Sequence, residues 1–154
     1  MRKLWILLAA SFLALAGCSK GGAPVTLEVR YAAYYYDERT GCNFLYLATE
    51  QDFAPDEIPG EYKAVGPFVR CLLGSKTDIK GTYSIVDADA PKTGEALVYL
   101  HKCVKGAGWM TSGTITVTGT GVTCTAQDAN HNIQLSFTGP LRKLDCINEI
   151  SEEF

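Results

Sequence analysis

The sequence has few residues suited to acid–base chemistry and none of the common short motifs of catalysis. Its 154 residues include only two histidines, His101 and His131. It contains no Gly-x-Ser-x-Gly nucleophile elbow, no phosphate-binding glycine loop and no His-Glu-x-x-His helix. His131 ends a segment, Asp-Ala-Asn-His, whose composition is typical of a turn. We therefore expect a protein that is not an enzyme and that needs no cofactor.

Two aspartates stand two positions apart in the segment before Pro91. Asp87 and Asp89 could act as the two carboxylates of a glycosidase. They stand in a polar segment next to Pro91, which favours a solvated loop. A hydrolase with an unrecognised site therefore remains the least favoured functional alternative.

The sequence also lacks an excess of basic residues. Lys and Arg number 14 against 17 Asp and Glu, and the formal net charge is −3. Nucleic-acid binding depends on clustered cations that neutralise phosphates, and anionic lipid requires a basic patch. We expect no nucleic-acid partner and no membrane contact through charge.

No apolar run is long enough to span a bilayer, which takes ~20 residues. The run from Leu4 to Leu15 follows the basic pair Arg2-Lys3 and precedes small residues, as in a secretory signal peptide. Leu15-Ala16-Gly17-Cys18 resembles the lipobox of bacterial lipoproteins, whose cysteine is lipidated and becomes the first residue of the mature chain. The resemblance implies a signal peptide over residues 1–17 and acyl chains such as palmitate on Cys18. An ordinary cleaved signal with an incidental cysteine is the alternative.

The lipobox also predicts the organisation of the chain. Ser19, in place of an Asp, resembles lipoproteins sent to the outer membrane, so we expect a lipid-anchored outer-membrane location on either face. Residues 18–24 are predicted to be the lipidated cysteine and a flexible tether, with 25–147 as one domain and 148–154 as an acidic tail. The residues that remain after removal of the signal peptide are enough for one domain with a single hydrophobic core.

Short segments with period-2 alternation and frequent turn residues predict an all-β domain. Val25, Leu27 and Val29 alternate with polar residues, for example, and no segment has a helical period long enough to bury a stripe. We predict a single antiparallel β-sandwich of about nine short strands in mostly hairpin order. A lipocalin-like up-and-down barrel is the alternative.

The segment from Gly113 to Thr138 predicts one register for three strands. A turn at residues 118–121 and another near residue 130 place every apolar residue on one face and Thr, Gln and Ser on the other. The predicted facing pairs are Val117 with Val122, Ile115 with Cys124, Ala126 with Ile133, Cys124 with Leu135, and Val122 with Phe137.

Three segments resemble a family of small β-rich surface lipoproteins from gut bacteria. They are Tyr34-Tyr35-Tyr36 through Asn43-Phe44-Leu45-Tyr46-Leu47, then Gly81-Thr82-Tyr83, then Ser112-Gly113-Thr114-Ile115-Thr116-Val117 through Thr138-Gly139-Pro140-Leu141. The resemblance implies a β-rich envelope domain and carries over no activity.

Five cysteines follow Cys18, and an exported protein meets an oxidising compartment, so we expect one or two disulfides. The odd number leaves at least one thiol single, and the connectivity stays open. Because Cys124 is predicted to face the interior, its partner should lie across the core, and Cys103 is the preferred choice. A buried free thiol is the alternative. Zinc bound by these two cysteines and His101 is disfavoured, because no closely spaced cysteine pair exists.

Aromatic residues near turns are the remaining functional signal. Tyr34 and Tyr36 precede a turn and Trp109 stands in a Gly-rich segment, so they could stack on sugar rings or contact a protein. Packing in the core is the alternative for these side chains. We predict a non-catalytic binding or structural module of the cell envelope with a glycan or protein ligand. A lipocalin-like carrier of a small apolar ligand is the second possibility.

Overall fold

The computed structural model describes residues 23–50, 52–55, 57, 59–64, 66–75, 78–145 and 150–152. These residues form strands, turns and loops without a helix, so the all-β prediction is confirmed. The predicted signal peptide, Cys18 and Cys146 lie outside the described residues. The strands in chain order are β1 (Val25–Glu28), β2 (Tyr31–Asp37), β3 (Cys42–Ala48), β4 (Ala54–Pro55), β5 (Tyr62–Ala64), β6 (Phe68–Leu73), β7 (Gly81–Ile85), β8 (Glu95–His101), β9 (Ser112–Thr118), β10 (Gly121–Gln127), β11 (Asn132–Thr138), β12 (Arg142–Lys143) and β13 (Ser151–Glu152).

Ten of these strands form one mixed sheet, in the order β1-β11-β10-β9-β7-β8-β6-β3-β2-β12. The sheet curls into a half-barrel, and a separate small sheet has the order β13-β5-β4. Three neighbouring pairs of the large sheet are parallel: β1 with β11, β7 with β8, and β12 with β2. The predicted antiparallel sandwich of about nine strands in hairpin order is therefore wrong, and the strand order also differs from that of an up-and-down barrel.

The error lies in strand partners rather than in strand identity. β7 is inserted between β9 and β8, and β1 extends the sheet beyond β11. Alternation of apolar and polar residues identifies a strand and its buried face, but it does not identify a partner that is distant in the sequence.

The meander β9–β10–β11 has the predicted register. Val117 faces Val122, and Cys124 faces both Ile115 and Leu135. These apolar side chains are buried, whereas most of the Thr, Gln and Ser side chains between them are exposed. The prediction succeeds here because two short turns join strands that are also neighbours in the sheet.

The concave face of the half-barrel is filled by a group of apolar side chains that we call the inner core. It includes residues from strands toward both ends of the curled sheet, among them Leu27, Leu45, Val69, Cys71, Val98, Ile115, Cys124 and Leu135. The sheet thus buries its apolar face largely against itself, and the described residues form no second large sheet.

A second group of apolar side chains, the outer core, lies on the convex face of β2, β3 and β6. It consists of Ala33, Tyr35, Phe44, Tyr46, Ala48, Phe53, Ala64, Phe68, Leu144 and Ile150. All seven residues of β3 are buried because a core lies on each side of this strand. This core also contains Phe53, which is buried, and it is joined by the segment predicted as an acidic tail, in which β13 pairs with β5.

Candidate functional site

Trp109 is the most exposed of the large hydrophobic side chains in the described part of the chain, at 48 %. The chain leaves β8, turns through residues 102–107 and then runs back beside the part of that strand that β7 does not pair with. The Leu100 N–H donates to the Gly108 carbonyl at 2.9 Å, and the Met110 N–H donates to the Val98 carbonyl at 2.9 Å. The backbone at Trp109 is therefore fixed beside Tyr99 although the indole is open to solvent.

The indole of Trp109 belongs to an aromatic cluster with Tyr99 and Arg70. The centroids of the Trp109 and Tyr99 rings are 5.0 Å apart, and the Arg70 guanidinium carbon lies 5.3 Å from the Tyr99 centroid and 5.5 Å from the Trp109 centroid. Cation–π contacts of this kind hold a ring in place. Trp109 is thus an exposed but well supported aromatic surface.

The aromatic cluster continues into the outer core through stacked rings. The centroids of His101 and Tyr99 are 6.5 Å apart, and those of His101 and Phe68 are 4.7 Å apart with nearly parallel planes. His101 is buried on the convex face of β8. Its position in this stack gives it a packing role that supports Tyr99.

A cleft of about 300 Å³ opens beside Trp109. It is lined by Val86, Asp87, Ala88, Asp89, Leu97, Trp109 and Met110. The segment after β7 carries both carboxylates and starts from a fixed point, because the Val86 N–H donates to the Ala96 carbonyl at 3.0 Å. Asp87 and Asp89 are exposed, as predicted for loop residues, and they also form one wall of this cleft. An indole, an apolar floor and two carboxylates therefore converge on one opening.

Tyr34 and Tyr36 are not part of this site. Tyr34 packs against the inner core, and Tyr36 shares its face of β2, so both lie on the opposite side of the sheet from Trp109. Tyr35 points the other way and is buried in the outer core. Alternation along β2 therefore separates Tyr35 from Tyr34 and Tyr36.

The predicted disulfide between Cys103 and Cys124 is not formed. Cys42, Cys71, Cys103 and Cys124 are all free thiols. Cys103 lies just beyond β8, where its thiol donates to the Phe68 carbonyl at 3.2 Å, whereas Cys124 is at the centre of β10. Burial raises the pKa of Cys103 to about 11 and that of Cys124 to about 12, so neither is a reactive thiolate near neutral pH.

The second histidine, His131, has a structural role in the turn formed by residues 128–131. The Asp128 carboxylate accepts hydrogen bonds from the backbone N–H groups of Asn130 and His131, each at 2.7 Å, and lies 2.8 Å from the His131 ring. Partial burial would raise the pKa of Asp128, but these hydrogen bonds outweigh it and lower the pKa. Within the described ranges, no three His, Cys, Asp or Glu residues are placed to hold a metal ion, and this includes His101, Cys103 and Cys124.

Sequence reasoning found Trp109 but missed its neighbours Tyr99 and Arg70. Both residues alternate with inner-core residues along their strands, which signals only that they point outward. Their contact depends on the pairing of Arg70 with Tyr99 between β6 and β8, and β7 separates these two strands in the sequence.

Comparisons with protein-family models, curated proteins and solved structures found no match to this chain. Across the described residues, no helix has the length and apolar character needed to cross a membrane.

Proposed function

We propose that this chain is a lipid-anchored protein of the outer membrane that binds a glycan, without catalysis, at the cleft beside Trp109. The observation that carries the proposal is the exposed indole held by Tyr99 and Arg70. A supported aromatic ring offers a flat apolar surface at low entropic cost, and a sugar ring can stack on such a surface.

The composition of the cleft supports a glycan rather than an extended apolar ligand. Asp87 and Asp89 can accept hydrogen bonds from sugar hydroxyl groups while the ring stacks on Trp109. A volume of about 300 Å³ is at the lower limit for ligand pockets and suits one sugar unit or the end of a chain.

The carrier alternative is less well supported. A carrier barrel needs room inside, whereas the concave face of this sheet is occupied by the packed side chains of the inner core. The exposed Trp109 supports binding at the surface instead.

Trp109→Ala should weaken glycan binding strongly and leave the fold intact. Trp109 is one of only two tryptophans, and the other, Trp5, lies in the predicted signal peptide, so intrinsic fluorescence of the processed chain reports on the cleft. Titration with a panel of soluble oligosaccharides should give a saturable fluorescence change. Calorimetry should then show that Trp109→Ala weakens binding by at least about tenfold, since exposed aromatic anchors carry much of the binding energy.

Tyr31→Ala is the matched control, because Tyr31 is also exposed but lies on β2, away from the cleft. Both variants should melt within about 2 °C of the wild type, as expected for partly exposed positions. Equal loss of binding in the two variants would contradict the site. A lipid recovered from the protein, with no glycan bound, would favour the carrier.

Acylation of Cys18 can be tested by metabolic labelling. Cells fed labelled palmitate should label the wild type and fail to label Cys18→Ala, because the acyl chains would be attached through that sulfur. Cys103→Ala removes a different cysteine, leaves the lipobox intact and should still be labelled. Label in the Cys18→Ala protein would show that the Leu15-Ala16-Gly17-Cys18 segment is not a lipobox.

A further inference from the structure

The cleft of the proposed site lies where β8 changes its neighbour along the side away from β6. Just beyond β7, the Val86 N–H donates to the Ala96 carbonyl at 3.0 Å. Two residues further along β8, the Val98 carbonyl accepts a hydrogen bond from the Met110 N–H at 2.9 Å. Leu97 stands between these two contacts and lines the cleft. The opening is therefore bordered on both sides by backbone that is hydrogen-bonded to β8.

The two carboxylates that line the cleft do not hold their own loop in place. Elsewhere, Asp37, Asp78 and Asp128 each accept a hydrogen bond from a backbone N–H two residues further on, at 2.7 to 3.0 Å. Within the part of the chain that the structure describes, no hydrogen bond or ion pair occupies the carboxylate of Asp87 or Asp89. Both side chains are exposed and are available to a ligand.

The lining of the cleft carries two negative charges and no positive charge. The five lining residues other than Asp87 and Asp89 are uncharged. A neutral ligand would displace water from the carboxylates without supplying an opposite charge, which costs free energy. A protonated amine would offset that cost and form charge-assisted hydrogen bonds. The electrostatics of the cleft therefore favour a ligand with a cationic group.

The position of Arg70 indicates where such a cation would lie. The Arg70 guanidinium carbon is 5.5 Å from the centroid of the Trp109 indole, so the ring already interacts with one positive charge. A second cation on the same ring would be repelled by Arg70, whereas the C–H face of a sugar would not. The indole is thus suited to a sugar ring, and the carboxylates are suited to an amine at the edge of that ring.

We propose that the cleft selects glycans that carry a free, protonated amine, such as unacetylated glucosamine units. This inference rests on the proposed glycan-binding function and specifies the class of sugar. The sugar ring stacks on Trp109, and its ammonium group donates hydrogen bonds to Asp87 or Asp89. N-acetylation turns the amine into a neutral amide and removes the ion pair.

The test compares two ligands that differ only in acetylation, the β-1,4-linked tetramers of glucosamine and of N-acetylglucosamine. Calorimetry is done on the full chain in detergent at about pH 5.5, where the amines carry their protons. The glucosamine tetramer should bind at least about fivefold more tightly, as expected for a well-formed ion pair at a solvent-accessible site. Tetralysine has amines but no sugar ring to stack on Trp109, so it should bind at least about tenfold more weakly than the glucosamine tetramer.

Neutral variants identify the groups that select the amine. The double variant Asp87→Asn/Asp89→Asn removes both charges but keeps oxygen acceptors for sugar hydroxyls, so the two tetramers should bind with nearly equal affinity. Glu28→Gln is the matched control, because Glu28 is exposed on β1 and does not line the cleft. It should retain the preference for the amine. Equal loss of the preference in both variants would mean a general attraction of cations to an acidic protein and would overturn the proposal.

Two results would overturn the amine selectivity and leave the glycan site standing. One is equal affinity of the wild type for both tetramers, with both weakened by Trp109→Ala. The other is binding of a neutral oligosaccharide through Trp109 when neither tetramer binds. Failure of every sugar to bind would overturn the glycan site as well. Binding of tetralysine as tight as that of the glucosamine tetramer would show that the cleft recognises a cation without a sugar ring.

Discussion

Leu135→Asp should unfold the protein, whereas Gln134→Asp at the next position should leave it folded. Leu135 is 4 % exposed at the centre of the meander, where it faces Cys124 on β10 and Leu27 on β1. An aspartate there would lose the packing of a leucine and bury a carboxylate without a partner. The combined cost should exceed about 4 kcal/mol, a large part of the stability of a small domain.

Gln134 provides a sharp comparison because it has the opposite orientation on the same strand. It is exposed and faces Thr125 and Thr26, so an aspartate remains solvated and should cost less than about 0.5 kcal/mol. Urea unfolding followed by circular dichroism measures both free energies. Similar losses in the two variants would mean that the register of β11 is shifted by one residue.

Gly113→Ala should destabilise the protein by about 2 to 4 kcal/mol through its backbone. Gly113 has φ of +132°, a conformation that favours glycine, and it faces Ala126 across the β9–β10 pair. A Cβ atom at this position would lie 2.0 Å from the Thr125 carbonyl oxygen. The methyl group therefore cannot be accommodated unless the two strands move apart.

Gly119→Ala is the matched control in the same hairpin. A Cβ atom there would approach only the flexible end of the Lys80 side chain, at 3.8 Å. We expect its free energy of unfolding to stay within about 0.5 kcal/mol of the wild type. Thermal or urea unfolding measures both stabilities. Equal stability of Gly113→Ala and Gly119→Ala would contradict the predicted clash at Gly113.

The parts of the fold that could be predicted are those joined by short turns. The register of Ile115, Cys124 and Leu135 follows from alternation because β9, β10 and β11 are consecutive in both sequence and sheet. The parallel pairing of Val25 with Ile133 could not be predicted in this way, since the free energy of that contact depends on distant residues. The same holds for the outer core, where Ile150 from the predicted tail is buried.

The candidate site likewise contains one residue that the sequence could identify and several that it could not. Trp109 could be selected because Gly-rich segments are typical of loops, where a large aromatic side chain is exposed more often than in a strand. Its support by Arg70 and Tyr99 depends on strand pairing, and its proximity to Asp87 depends on the insertion of β7 beside β9. Tyr34 is also an aromatic residue near a turn. It differs from Trp109 in that its side chain points toward the inner core.

The parallel pairing of β1 with β11 would also orient the site relative to a membrane if the chain is anchored through Cys18. The first residue of β1, Val25, lies at the same end of the sheet as the Asp128–His131 turn. The segment after Trp109 reaches that end too, because the Thr111 N–H donates to the Gln127 carbonyl at 2.7 Å. If Cys18 is acylated, the seven residues 18–24 extend at most about 25 Å from the bilayer. The cleft would then open on the membrane-proximal side of the domain, within reach of carbohydrate attached to the lipids or proteins of the same membrane.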